Sequence, residues 1–190
     1  GDWSSDVCSS DYLPVQSGDD EILKIMGRRY TNAQYLTLFH KIKERMPECA
    51  ISTDIIVGFP NESEGQFQHT LDLVKECQFD NAFTFIYSPR EGTPAARMAD
   101  SVSLEVKQRR LAELNACWNQ YAHVKNEAYL GKVVKVLVDG ASKKKANVWS
   151  GYTETNKLVN FTGEHVTAGD IVKVKITACK TFSLDGEQIL

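Results

Sequence analysis

ISTDIIVGFPNESE, residues 51–64, is the stretch on which the fold turns. Ile51, Ile55, Ile56 and Val57 form an apolar run that stops at Gly58 and Pro60, which predicts a short strand buried on both faces of a parallel sheet. Asn61 or Ser63 then offers an N-cap, with Glu64 or Gln66 three positions on as the reciprocal partner, so a helix follows. In the middle of the strand stands Asp54. A carboxylate in such a place costs several kcal/mol unless something binds it, so Asp54 has either a ligand or a cationic neighbour.

The same alternation extends both ways from this stretch. Upstream, YLPVQS (residues 12–17) reads as a strand, and Tyr35, Leu38, Phe39, Ile42 and Met46 lie on one helix face that Pro47 ends. Downstream, Phe67, Leu71 and Val74 stripe a second helix, and NAFTFIYS (81–88) makes a third strand. After the loop PREGTPAARMAD, a long helix starts near Ser103 with Val106, Leu111, Leu114, Trp118 and Tyr121 inward. Strand and helix thus alternate three times, the pattern of an α/β unit with right-handed crossovers and ligands at the carboxyl ends of its strands. Three units cannot close a barrel, so a partial parallel (βα) half-barrel with an open sheet edge is expected, its preceding strands missing.

Near Gly131 the pattern changes. KVVKVLVDG, VWSGYTETNKLVNF and DIVKVKITACKTFSLDG alternate Val, Ile, Leu and Lys between Gly and Asp, as short antiparallel strands of a small β-barrel do. The expected organisation is a half-barrel over 12–127 and a β-barrel over 128–190, joined by the long helix. Residues 1–11, GDWSSDVCSSD, have no periodicity and read as a non-native scar.

The composition is 42% hydrophobic and 25% charged, that of an ordinary globular protein, and no stretch approaches the roughly 18 apolar residues of a membrane span. A cytoplasmic location without membrane attachment is the expectation. Five scattered cysteines (Cys8, Cys49, Cys77, Cys117, Cys179) show no metal-ligand spacing, which argues against disulfides and an internal metal site. Charge is uneven: residues 128–190 hold nine lysines against six acids, net +3, while residues 1–127 carry −6. The basic end is a candidate nucleic-acid surface.

Polar groups fall where the strand ends should be: Gln16, Asp54 and the YSPREGT cluster, with Arg28 and Arg29 between the first two. A carboxylate accepts from both hydroxyls of a ribose, an amide holds a further hydroxyl, and a guanidinium grips a carboxylate. Together they suit a nucleoside carrying an amino acid. Each also has a plainer reading, in which Gln16 bonds backbone, Asp54 pairs with an arginine, Arg28 caps a helix, and Gly58 and Pro60 simply turn the chain.

Five motifs in order, LPVQSG, MGRRYT, ISTDIIVGFPNESE, FTFIYSPREGTPAA and TNKLVNF, resemble the C-terminal half of the radical S-adenosylmethionine tRNA methylthiotransferases, in the branch acting at C2 of isopentenyladenosine beside the anticodon. The resemblance runs from about Leu13 to the end. It implies a radical S-adenosylmethionine half-barrel followed by a TRAM domain, a small OB-like barrel that binds tRNA. Carried over by position, Gln16 and Asp54 face the cofactor ribose, Arg28 its methionyl carboxylate, and Gly58, Phe59 and Pro60 wall the methionine and adenine side. Tyr87, Ser88, Arg90 and Thr93 match a loop over the pocket. Lys132, Lys135, Lys143, Lys144, Lys145 and Lys157 supply charge for phosphates, and Asn156 and Phe161 amide or stacking contacts.

The departures carry equal weight. The family binds one 4Fe-4S cluster through a CxxxCxxC loop and a second in an N-terminal domain, and neither motif occurs here. Tyr12 stands where the family has His, and SGDD replaces Ser-Gly-Ser. The expectation is a fragment of an enzyme that is a monomer when intact, inactive alone for want of cluster ligands. Alternatives are a sibling enzyme acting on threonylcarbamoyladenosine or on a ribosomal-protein aspartate, and a non-catalytic RNA-binding module.

Overall fold

The computed structural model describes residues 10–142 and 147–189, which form two compact units, Asp11–Asn119 and the residues from Gln120 onward. In the first unit, strands β1 (Ser10–Tyr12), β2 (Ala50–Val57) and β3 (Asn81–Ile86) lie in the order β1-β2-β3, with helices α1 (Asp20–Ile25), α2 (Asn32–Arg45) and α3 (Glu64–Cys77) between them. β2 and β3 run parallel with Asp54 opposite Phe83. The strand expected at 12–17 is shorter than its pattern, and Ser10 and Asp11 fall within β1. Beyond it the chain touches β2 again through a parallel bridge from Gln16 to Ile55.

Local chemistry explains the helices. Thr31 and Gln34 close a capping box on α2, and Ser63 and Gln66 another on α3, so Ser63 rather than Asn61 is the N-cap. Asn61 instead adopts φ 63° and bonds Ala99 and Ser101. α1, capped by Asp19, has no counterpart in the sequence reading. Tyr35 and Phe39 bury the face of α2 while Leu38 stays 48% exposed; on α3 Leu73 is buried where Leu71 was expected.

β2 corrects the reading of residues 51–57. Only Ile51, Thr53, Ile55 and Val57 are fully buried, and Ser52, Asp54 and Ile56 alternate with them on a half-open face. The apolar run reflects one covered face and a shallower second one, so Asp54 bears less desolvation than a doubly covered strand would impose.

Helix α4 (Leu104–Glu127) passes from the first unit into the second. There β4 (Val133–Ala141), β5 (Val148–Thr153), β6 (Leu158–Thr162), β7 (Ile171–Cys179) and β8 (Leu184–Ile189) close a barrel in the order β4-β5-β6-β8-β7. Pairing is antiparallel except between β6 and β8, which run parallel, so the barrel is mixed. Val136, Val138, Val159, Phe161, Val174, Ile176 and Leu184 fill it. Gly151 permits the tight β4–β5 crossing, since a Cβ there would sit 2.2 Å from the Leu137 carbonyl oxygen. Among the described residues no helix is long and apolar enough to cross a membrane.

Candidate functional site

Toward the carboxyl ends of β1, β2 and β3 lies a cavity of about 530 Å³. Gln16, Arg28, Asp54, Phe59, Tyr87, Ser88, Arg90 and Thr93 all line it, eight of the ten residues that the sequence placed at a nucleoside pocket. Gly58 and Pro60 are buried beside it and are not among its lining residues.

Each side chain is placed by a local feature. Gln16 has φ 71°, a region costly for a residue with a Cβ; its N–H donates to the Asp54 carbonyl and its own carbonyl accepts from Ile56 N–H, both at 2.8 Å. Asp54 Oδ2 accepts from the Tyr12 hydroxyl, and no ion pair to Asp54 exists among the described residues. That hydrogen bond holds the Tyr12 phenol above its ordinary range, with lesser contributions from burial and the Asp54 charge and an opposing pull from Arg28. The Arg28 backbone N–H closes α1 onto the Leu23 carbonyl at 2.9 Å, while its exposed side chain lines the cavity and makes no ion pair among the described residues. Thr93 donates to the Arg90 carbonyl at 2.8 Å and caps the 3-10 turn Pro94–Arg97, which shapes the far wall.

Behind the pocket lies a charged layer that the sequence reading missed. The Phe59 and Tyr87 rings meet edge to face at 4.9 Å, and the Lys107 ammonium stands 5.8 Å from the Tyr87 ring centroid. Lys107, only 8% exposed, pairs with Asp100, and its stem fills the space a Cβ on Gly58 would need, 2.4 Å from Lys107 Cγ. Arg110 pairs with Glu62 at 2.9 Å, both essentially without exposure, and Glu62 also accepts from Gly58 N–H at 2.8 Å. Burial pushes the Glu62 carboxyl up, against the Gly58 bond and the Arg110 charge that pull it down. The available signal was spacing: 107, 110, 114 and 118 continue one helical stripe, with long cationic stems in its first two places.

A second cavity of about 440 Å³, lined by Asp19, Asp20, Asp72 and Glu76 among others, has the wrong sign for a ligand carboxylate. In the barrel, Lys132 and Lys135 are exposed, the first 5.7 Å from the Tyr129 ring centroid and the second 4.0 Å from Glu154. Asn156 is exposed in the β5–β6 turn at φ 58°, a conformation asparagine tolerates. Two expectations are corrected. Phe161 is 1% exposed in the barrel core, so its ring packs and is closed to base stacking, and Lys157 is 8% exposed, which withdraws it from phosphates. Lys143, Lys144 and Lys145 lie outside the described residues.

The family model of the Radical SAM superfamily matches residues 10–74, and that of the TRAM domain matches residues 127–189. The two matches fall in this order on the three-stranded sheet with its helices and on the closed barrel. Over nearly all its length the chain is similar to proteins named tRNA-2-methylthio-N(6)-dimethylallyladenosine synthase. The Bacillus cytotoxicus protein is 56% identical over 178 residues, 94% of this chain and 35% of that protein. That of Shouchella clausii is 58% identical over 93% of this chain and 34% of its own length, and that of Halalkalibacterium halodurans 57% over 94% and 33%. The chain spans about a third of the length of these relatives.

The Radical SAM superfamily takes S-adenosylmethionine and iron-sulfur clusters, and the residues present fit these unequally. For S-adenosylmethionine the donor set suits: a carboxylate bonded to a phenol, a guanidinium with no ion pair among the described residues and an amide share a cavity within the usual volume range for small ligands. For a cluster it does not, because Cys49, Cys77, Cys117 and Cys179 are dispersed and no group of three or more candidate metal ligands occurs among the described residues.

Proposed function

We propose that this chain is the cofactor-seating and tRNA-holding part of a tRNA adenosine methylthiotransferase that modifies C2 of isopentenyladenosine beside the anticodon, a fragment inactive by itself. The observation that carries the reading is the convergence of Gln16, Arg28, Asp54 and Phe59 on one cavity with the 87–93 loop. In this reading Asp54 and Gln16 hold the ribose hydroxyls, Arg28 takes the methionyl carboxylate, and Phe59 with Tyr87 forms an apolar wall. S-adenosylmethionine, when bound in an intact enzyme, supplies the means of breaking the C2–H bond and a methyl group. Lys132, Lys135 and Asn156 hold tRNA, and the intact enzyme works as a cytoplasmic monomer.

Isothermal titration of the chain with S-adenosylmethionine tests the pocket. Asp54→Ala is expected to weaken binding at least tenfold and Arg28→Ala likewise, because each removes a charge-assisted bond. Unchanged affinity in both variants would reject the assignment.

A second reading, a non-catalytic RNA-binding module, is favoured by the closed barrel with its exposed Lys132 and Lys135. Strongly salt-dependent tRNA binding without any S-adenosylmethionine binding would select it.

A further inference from the structure

The outer wall of the barrel carries two rows that stability alone does not favour. In one, Leu137 of β4 stands opposite Tyr152 of β5 and Ile171 of β7, and these three are 53%, 43% and 70% exposed. In the next, Lys135 stands directly opposite Lys173, with Lys175 one place further along opposite Val133, all exposed. An apolar row facing water gains nothing from folding, and like charges directly opposed on antiparallel strands are destabilising. Acids share this face without closing it: Glu154 lies 4.0 Å from Lys135, Glu187 faces Lys175 from β8, and Asp139 follows Leu137 on the exposed side of β4. Lys173 and Lys175 make no ion pair among the described residues.

We infer that this face is where the barrel holds an unpaired segment of RNA, with Tyr152 stacked on a base, Leu137 and Ile171 extending the apolar floor, and Lys135, Lys173 and Lys175 neutralising phosphates. The inference rests on the tRNA-binding reading above and narrows it to one surface and to loop rather than duplex RNA. Both unfavourable rows gain a use together: an aromatic ring beside cations is what a single strand needs, since every base has a π-face and every linkage a charge. A duplex hides those faces, so the tyrosine would be idle on it. A protein partner would cover the apolar row but leave the opposed lysines unexplained.

Fluorescence anisotropy of the whole chain with a dye-labelled tRNA anticodon stem-loop, at several salt concentrations, tests this. The double variant Lys135→Ala/Lys173→Ala is expected to weaken binding and to lower the log–log salt slope by about 1.4, two phosphates' worth on a single strand. Tyr152→Ala should weaken binding about tenfold or more with the slope intact, and Tyr152→Phe should restore it. Lys180→Ala serves as control, its ammonium lying 2.5 Å from Asp185, and should change neither quantity. A blunt RNA duplex should compete poorly. If the unaltered chain fails to bind the stem-loop, the tRNA reading falls and this inference with it. If it binds and the face variants bind equally well, the face alone is overturned. A change of hydrodynamic mass on Leu137→Ser/Ile171→Ser, without loss of RNA affinity, would mark a protein interface and overturn it too.

Discussion

Asp54 accepts a hydrogen bond from Tyr12 on Oδ2, and Oδ1 has no protein partner among the described residues. The arrangement makes a measurable prediction about the phenol. Tyr12 titrates above its ordinary range because ionising it would break that bond and set two negative charges side by side. The bond is therefore at full strength below the usual phenol pKa of about 10 and is lost only as pH rises through the higher folded value. Asp54→Asn should return Tyr12 toward about 10 in a difference absorbance titration, with Tyr12→Phe as the subtraction. A phenol that does not move would show that the two groups are apart in solution. At this scale much of the cavity lining was legible: polar residues in or beside a strand stand out against an apolar background, as Gln16 and Asp54 do. The place of Phe161 was not, because in a two-residue alternation one slip of phase moves a side chain from surface to core; Lys157 lies in the β5–β6 turn, where no period tells inside from outside.

The β2–α3 loop and the start of α4 share the best-buried ion pair among the described residues, Arg110–Glu62, which helps seat the first turns of α4. Arg110→Met leaves Glu62 charged without its cation and should cost about 3–5 kcal/mol in urea denaturation, part of which Glu62→Gln recovers while keeping an acceptor for Gly58 N–H. Because burial raises the Glu62 carboxyl, folding takes up a proton there. The associated stability is present below the ordinary glutamate pKa and lost as pH rises through the raised value. Removing Arg110 raises it further, so the variant should be less destabilised near about pH 5 than near about pH 8. Gly58→Ala should cost roughly 1–3 kcal/mol, since φ 67° and the Lys107 stem both oppose a Cβ. The alternation of elements was readable because a helix buries a stripe and a strand a face. The Lys107–Arg110 seat was not, since charged residues count as solvent-facing in any periodicity reading, although long cationic stems fill apolar grooves. α1 escaped because six residues are too few to establish a period.

Two compact units in one chain predict two unfolding events. Phe67→Ala, in the first unit, and Phe161→Ala, in the second, each empty a fully buried aromatic site and should each cost about 3–5 kcal/mol. In calorimetry each should lower one transition and leave the other in place; movement of both together would mean that α4 transmits the loss. The two-part organisation was visible in the change of period near Gly131, and the parallel β6–β8 pair was not, because pairing direction leaves no mark on a single strand's pattern. One element also governs how the purified polypeptide will keep. β3, NAFTFI, has no charge and no proline, is hydrogen-bonded to β2 on one side only among the described residues, and leaves Phe83 and Phe85 nearly half exposed. Such a strand templates its own kind, so concentrated stocks should age into insoluble, thioflavin-staining deposits from this edge, and Phe83→Lys should lengthen their storage life.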